Sequence, residues 1–194
     1  MKRLFDILLS IILLIFLLPF FFMIAFLIKL DSKGPVFYIQ KRVGQYEKLF
    51  NMFKFRSMHP FADKKGLLTI SSHDSRITKI GYYLRKYKMD ELPQLINVLL
   101  GDMSFVGPRP EVPKYVAMYD ENQKKVLDVK PGITDWASLK YINESDLLAK
   151  SKDAEALYIN EIMPAKLNLN LKYITERSFW IDLQILWKTV VKVF

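Results

Sequence analysis

Within the stretch "LRKYKMDELPQLINVLLGD" two acids, Asp90 and Glu91, stand side by side just ahead of a proline-led apolar run, and Arg85 and Lys88 lie immediately upstream. A further arginine, Arg109, sits between Pro108 and Pro110, which limit how far its loop can relax. Clustered cations and the free N–H groups of a helix start make a cradle for a diphosphate, and a carboxylate in that field is expected to stay ionised. Such a carboxylate can attack phosphorus or hold a divalent cation against it. The same two acids also fit a routine helix start, in which an N-cap and an acidic first turn need no further function. A glycosidase pair fits poorly, because those carboxyls must flank a scissile bond roughly 5 to 9.5 Å apart and neighbours in one helical turn diverge.

The elements that position these residues follow from the rest of the chain. An apolar run from Ile7 to Ile28 has only Ser10 as a polar interruption, with Pro19 near its middle. About 20 helical residues suffice to span a bilayer, so length allows a crossing. The flanks argue for another geometry: Lys2 and Arg3 precede the run, Lys29, Lys33, Lys41 and Arg42 follow it, and cytoplasmic flanks are the ones that collect Lys and Arg. Pro19 removes a backbone donor and clashes with the carbonyl of Ile15, so a helix, break and second helix re-entering the same face would satisfy both ends. Spanning and re-entry both remain open at this point, since proline is also tolerated in spanning helices.

After the run, "VFYIQ" and "LFNMFKFRSM" read as an antiparallel hairpin around Gly44, and residues 59 to 73 as a polar loop. Asp74 is expected to cap a helix reaching about Tyr87, with Ile77, Ile80, Gly81 and Leu84 on one face. A second helix carries Leu92, Leu95, Ile96 and Leu99, opens near Asp90 and Pro93 and closes at Gly101. "FVGPRPEVP" and "VKPGITDWAS" read as loops, separated by a helix from about Pro113 to Lys125. The last helix, from about Arg177, places Phe179, Leu183, Leu186, Val190 and Val193 on one face, a pattern suited to a membrane interface or to ordinary packing.

Composition narrows the function classes. The chain has no cysteine, which excludes disulfides, thiolate catalysis and cysteine-ligated zinc. Its only histidines, His59 and His73, fall in loop-like sequence and suggest no metal site. A net charge of +9 calls for an anionic partner: nucleic acid, acidic lipid headgroups or a phosphorylated substrate. The membrane segment favours the last two. Phe50, Phe53 and Phe55, the aromatics a nucleic-acid binder would use, alternate as a buried strand does.

Taken in order, "KRLFD", "GPVFYIQKRVG", "FNMFKFRSM", "DELPQL", "GDMSFVGPRP", "PGIT" and "SFWIDLQIL" resemble the monotopic phosphoglycosyl transferases over nearly the whole chain. These bacterial enzymes move a sugar 1-phosphate from a UDP-sugar to undecaprenyl phosphate. The resemblance implies that Asp90 is the nucleophile, forming an aspartyl phosphosugar with release of UMP. It implies Mg2+ as cofactor, Glu91 with Asp90 positioning metal or phosphate, and Arg85, Arg109 and Lys88 near the phosphates. An N-acetylated amino sugar is the expected donor sugar, and an oligomer is compatible with the pattern. The implied fold is α+β and mainly helical: a re-entrant membrane helix broken at Pro19 (residues 1–33), then a catalytic domain (34–194) with a small hairpin and interfacial helices, on the cytoplasmic face of the bacterial inner membrane. The rival class is a membrane-tethered protein that binds anionic lipid or nucleic acid without turnover. Three positions depart from the usual pattern: Leu18 where a serine often precedes the proline, Lys88 where serine is common, and Asp135 in place of the glycine after "PGIT". The region after Asp135 is expected to lie near the nucleotide sugar.

Overall fold

The computed structural model describes residues 1–62, 66, 68–71 and 74–193. His73, parts of the expected 59–73 loop and the side chain of Val193 lie outside the described residues. The architecture is α+β and mainly helical, as the sequence implied.

Helix α1 (Lys2–Asp31) continues through Pro19, so the break into two helices expected there is absent. Proline costs one hydrogen bond and crowds one carbonyl, a local loss that a long helix can absorb when packing holds both sides of it. Packing does hold both sides. Leu9, Leu13, Leu14 and Leu17 lie against the main core, and Ile24 and Ile28 are buried with Phe55 and Leu84 in a second cluster. The opposite face leaves Ile12, Ile15, Phe16, Phe22 and Phe26 between 62% and 73% exposed.

Strands β1 (Phe37–Val43) and β2 (Leu49–Phe55) form the expected hairpin, with Phe37 opposite Phe55 and Val43 opposite Leu49. The far edge of β2 is covered by the buried Asn97 amide, which accepts from Phe53 N at 2.9 Å and donates to Asn51 O at 2.8 Å. A side chain thereby supplies what a third strand would otherwise provide.

Helix α2 (Lys79–Lys86) starts later than expected, because Thr78 rather than Asp74 caps it: Gly81 N donates to Thr78 Oγ1 at 3.0 Å. Asp74 is taken by Arg76, 2.7 Å away. Gly81 and Leu84 are buried as the face pattern required, and Gly81 lies so close to the hairpin that a Cβ there would fall 1.9 Å from Ser57 O. One tight 3-10 turn, Met89–Glu91, then leads into α3 (Gln94–Leu100), which Gly101 closes at φ 98°.

The two segments read as loops each contain a short strand. β3 (Ser104–Val106) runs parallel to β4 (Gly132–Thr134), with Ser104 opposite Gly132 and Val106 opposite Thr134. Three residues are too few to display alternation, so pattern alone passes over them. Backbones meet closely where Gly107 crosses Gly132, and a Cβ on Gly132 would stand 2.1 Å from Gly107 N. Between the strands the expected 113–125 helix is instead α4 (Pro113–Val116) followed by a 3-10 segment, Gln123–Asp128. Asp120 and Gln123 bond reciprocally, Gln123 N to Asp120 Oδ1 at 2.8 Å and Asp120 N to Gln123 Oε1 at 3.1 Å, so the chain starts a new turn there.

Helices α5 (Trp136–Lys140), α6 (Glu144–Ala149) and α7 (Ala154–Leu157) are short, and a π turn at Tyr158–Ile162 joins α7 to α8 (Met163–Glu176). Helix α9 (Phe179–Val193) is rotated from the expected face: Asp182 and Ile185 are buried, while Phe179 and Val190 are exposed. Trp180 and Trp187, 78% and 70% exposed, share its open side with Val191.

Candidate active site

A cleft of 1570 Å³ opens between α1, the hairpin, α2 and the α5–α9 region, and all five site residues expected from the sequence, Arg85, Lys88, Asp90, Glu91 and Arg109, line it. Arg85 reaches it from the last turn of α2. Lys88 adopts a left-handed conformation, φ 54°, that turns the chain sharply between α2 and the 3-10 turn carrying both acids. Arg109 arrives from the loop after β3, where its backbone N–H donates to Asp135 Oδ2 at 3.1 Å. Asp135 also caps α5 by accepting from Ser138 N, so the departure at this position has a structural use.

The two adjacent acids have opposite surroundings. Glu91 is gripped by Arg109, whose two terminal nitrogens reach its two oxygens, and Lys54 Nζ adds a bond to Oε1 at 3.0 Å. Burial alone would raise the Glu91 pKa. The Arg109 and Lys54 charges and the Arg109 hydrogen bonds outweigh it and hold the carboxyl well below its ordinary range. Asp90 is 5% exposed and does not cap a helix. Among the described residues, no group donates a hydrogen bond to its carboxylate. Burial, reinforced by the neighbouring Glu91 charge, raises its pKa, while Lys54, Arg85 and Lys88 oppose the rise. The net shift is thus upward, opposite to the pull of the surrounding cations, and Arg109 and Lys54 are bonded to Glu91 instead. Arg85 and Lys88 have no ion-pair partner among the described residues. Both are free to meet an anionic ligand.

Lys54 escaped the sequence reading. It lies on a strand among aromatic neighbours with no local motif to mark it, and only the packing of β2 against the 3-10 turn brings its ammonium to Glu91. Desolvation lowers its pKa, and Glu91 partly offsets that. Arg42, read only as a basic flank, is the second such case. It donates to Pro110 O at 2.9 Å and pairs with Glu111 at 3.0 Å, pinning the proline-flanked loop from the side opposite Asp135.

The residues fit a divalent cation in a limited way. A carboxylate has about four lone-pair sites, and Arg109 and Lys54 occupy three of those on Glu91. One direction on Glu91 Oε2 and the whole Asp90 carboxylate are left. Mg2+ commonly takes one or two carboxylates and completes its shell with water and substrate phosphates, which is what this donor set offers. Among the described residues no cluster of three or more His, Cys, Asp or Glu could hold a metal without such help.

Comparison with known proteins gives the family of the chain. The chain is 37% identical over its full length to an Escherichia coli (strain K12) UDP-glucose:undecaprenyl-phosphate glucose-1-phosphate transferase, of which it covers 40%. It is 36% identical over 97% of its length to an Aeromonas hydrophila UDP-N-acetylgalactosamine-undecaprenyl-phosphate N-acetylgalactosaminephosphotransferase, covering 42% of that protein. With the Bacillus subtilis sugar transferase EpsL it shares 39% identity over its full length and 87% of the relative. The chain thus spans less than half the length of several relatives it matches. Residues 1–194 match the bacterial sugar transferase family throughout, and an acidic pair split into one neutralised and one unpartnered carboxyl, in a cleft with free cations, belongs to a chain that is a member of that family.

Proposed function

We propose that this chain transfers a sugar 1-phosphate from a UDP-sugar to undecaprenyl phosphate by double displacement through Asp90, beginning assembly of a lipid-linked glycan. The observation that carries the reading is the Asp90 carboxylate, buried at the cleft and, among the described residues, unbonded and near two cations without ion-pair partners. An Asp90 oxygen attacks the phosphorus bearing the sugar, the bond from that phosphorus to the bridging oxygen breaks, and UMP departs with the bridging oxygen. A phosphate oxygen of the lipid then attacks the same phosphorus and releases Asp90. Arg85 and Lys88 bind the diphosphate. Glu91, locked by Arg109 and Lys54, keeps these two cations in place without competing as a nucleophile. Asp90, with the open direction on Glu91, would hold Mg2+, which when bound neutralises charge on the diphosphate.

The donor sugar is not separable by identity, since relatives named for glucose and for N-acetylgalactosamine are 37% and 36% identical. We take an N-acetylated amino sugar as the working donor. Incubating the chain with undecaprenyl phosphate, Mg2+ and a panel of UDP-sugars is expected to release UMP from one of them. A non-catalytic tether would release none.

The reading also places the chain on the cytoplasmic face of the inner membrane, with both ends of the continuous α1 on that side. Support comes from both ends of α1 being tied to one body. Lys2 bonds Asp182 at 2.7 Å and Tyr173 at 3.0 Å, and Arg3 donates to the carbonyls of Val98 and Leu99. At the other end Asp31 accepts from Ile80 N at 2.9 Å, and Arg56 donates to Ser32 O at 2.7 Å and Lys33 O at 2.9 Å. A helix held along its length and at both termini by polar groups cannot place those termini on opposite sides of a bilayer without stranding them in hydrocarbon. Its exposed apolar face and the tryptophans of α9 then meet the lipid. Cysteines introduced at Met1 and Lys33 of the cysteine-free chain are expected to react only with reagents that reach the cytoplasm. Labelling of either from outside intact cells would overturn the topology.

A further inference from the structure

The loop that delivers Arg109 has few backbone donors to hold it. Pro108 and Pro110 carry no N–H, so Arg109 N is the one backbone donor in that stretch, and Asp135 takes it. Carbonyls and the next side chain do the rest. Pro108 O accepts from Gly132 N at 3.0 Å, and Pro110 O accepts from Arg42 Nη1 at 2.9 Å. Glu111, directly after Pro110, then bonds on every side. Its Oε1 accepts from Arg42 Nη1 at 3.0 Å and from Val112 N at 2.7 Å, its Oε2 accepts from the Tyr158 hydroxyl, and its backbone carbonyl accepts from Val43 N at 2.9 Å. The Arg109 loop is thereby tied to the end of β1 and to the π turn that begins at Tyr158.

Tyr158 is a committed donor in this arrangement. It is 2% exposed, and its ring lies 5.0 Å from that of Tyr115. Burial, together with the Glu111 charge, raises its pKa, so the hydroxyl keeps its proton. Both Glu111 and Tyr158 line the cleft. With its two carboxylate oxygens already bonded within the chain, Glu111 is suited to holding protein rather than to attacking phosphorus or binding a cation. The residue it holds stands two positions away and grips Glu91 through both terminal nitrogens. Such a grip depends on where the Arg109 backbone lies, and a displacement of about 1 Å in a catalytic site can cost about a hundredfold in rate.

We propose that Glu111, held by Tyr158, is a positioning residue for the phosphoryl transfer read in the cleft: it fixes the Arg109 loop so that Arg109 keeps Glu91 neutralised and leaves Asp90 to react. Asp135 secures the loop from one side, and the bond between Glu111 and Tyr158 secures it from the other.

The test measures kcat, KM and UMP inhibition for the full chain, with undecaprenyl phosphate and whichever of UDP-glucose and UDP-N-acetylgalactosamine the wild type turns over, and follows thermal unfolding alongside. Tyr158→Phe removes one hydroxyl and keeps the ring packed on Tyr115. It is expected to lower kcat about tenfold, the scale of one hydrogen bond to a charged group, with KM and UMP inhibition within about twofold of wild type, because Arg85 and Lys88 still bind the diphosphate. Glu111→Gln, which also weakens the tie to Arg42, is expected to lower kcat about a hundredfold, and Tyr158→Phe decides the matter if Glu111→Gln does not fold. Introduced into Arg109→Lys, where the grip on Glu91 is already lost, Tyr158→Phe is expected to cost less than about twofold more. A merely structural role would lower the unfolding midpoint without this dependence on Arg109. Wild-type kcat in folded Tyr158→Phe would overturn the proposal, and so would an undiminished loss in the Arg109→Lys background. A wild-type chain that turns over neither donor would instead refute the underlying reading of the cleft.

Discussion

Asp90→Asn is expected to abolish UMP release, by about a thousandfold or more, while the unfolding midpoint holds or rises. The neutral amide cannot form an acyl phosphate, and loss of a nucleophile is among the largest single-residue effects on turnover. Stability goes the other way for an electrostatic reason. Burial and the Glu91 charge raise the Asp90 pKa in the folded state, so ionised Asp90 opposes folding at neutral pH and that cost is relieved as pH falls through the raised value. Asn has no charge to bury. A carboxylate that served only as a cap would behave differently, since Asn caps as well as Asp and activity would survive. The same shift sets a pH dependence: the attacking form is the carboxylate, so wild-type turnover is expected to fall on the acid side above the ordinary carboxylate range. Wild type incubated with sugar-labelled UDP-sugar and no lipid should retain label at Asp90. Failure to trap it, with kinetics requiring both substrates bound together, would remove the double displacement and leave Asp90 a metal or phosphate ligand.

Arg109→Lys is expected to lower turnover by about 10- to 150-fold, the equivalent of losing one charge-assisted hydrogen bond worth about 1.5 to 3 kcal/mol. The charge is kept, but lysine cannot reproduce the two-pronged grip on Glu91. The route of the damage can be measured. If Arg109 acts by holding Glu91, the Arg109→Lys, Glu91→Gln double variant should be no slower than the slower single variant, because both substitutions break one interaction. If Arg109 binds phosphate independently of Glu91, the two losses should multiply. Thermal unfolding separates either result from a general loss of fold, which matters because removing one partner of a buried pair costs about 3 to 5 kcal/mol.

Much of this protein follows from local sequence. The long apolar helix, the hairpin and the buried side of α2 rest on apolar run length and periodicity, properties of contiguous residues that need no knowledge of the rest of the chain. Clustering of Arg85, Lys88, Asp90 and Glu91 is likewise local, since seven residues hold all four and one sharp turn at Lys88 presents them together. Tertiary structure decided the rest. Lys54 and Arg109, 37 and 18 positions from Glu91, reach it only through packing of the hairpin and of the β3 loop. That long-range choice of partner, rather than residue type, neutralises Glu91 and leaves Asp90 raised and unbonded. β3 and β4 are similar: each three-residue strand exists because the other lies beside it, with Gly107 and Gly132 permitting the approach. Pro19 gave the opposite lesson. Its intrinsic tendency to break a helix was legible, but the core held both sides of α1, and packing over many residues outweighed the loss of one backbone bond.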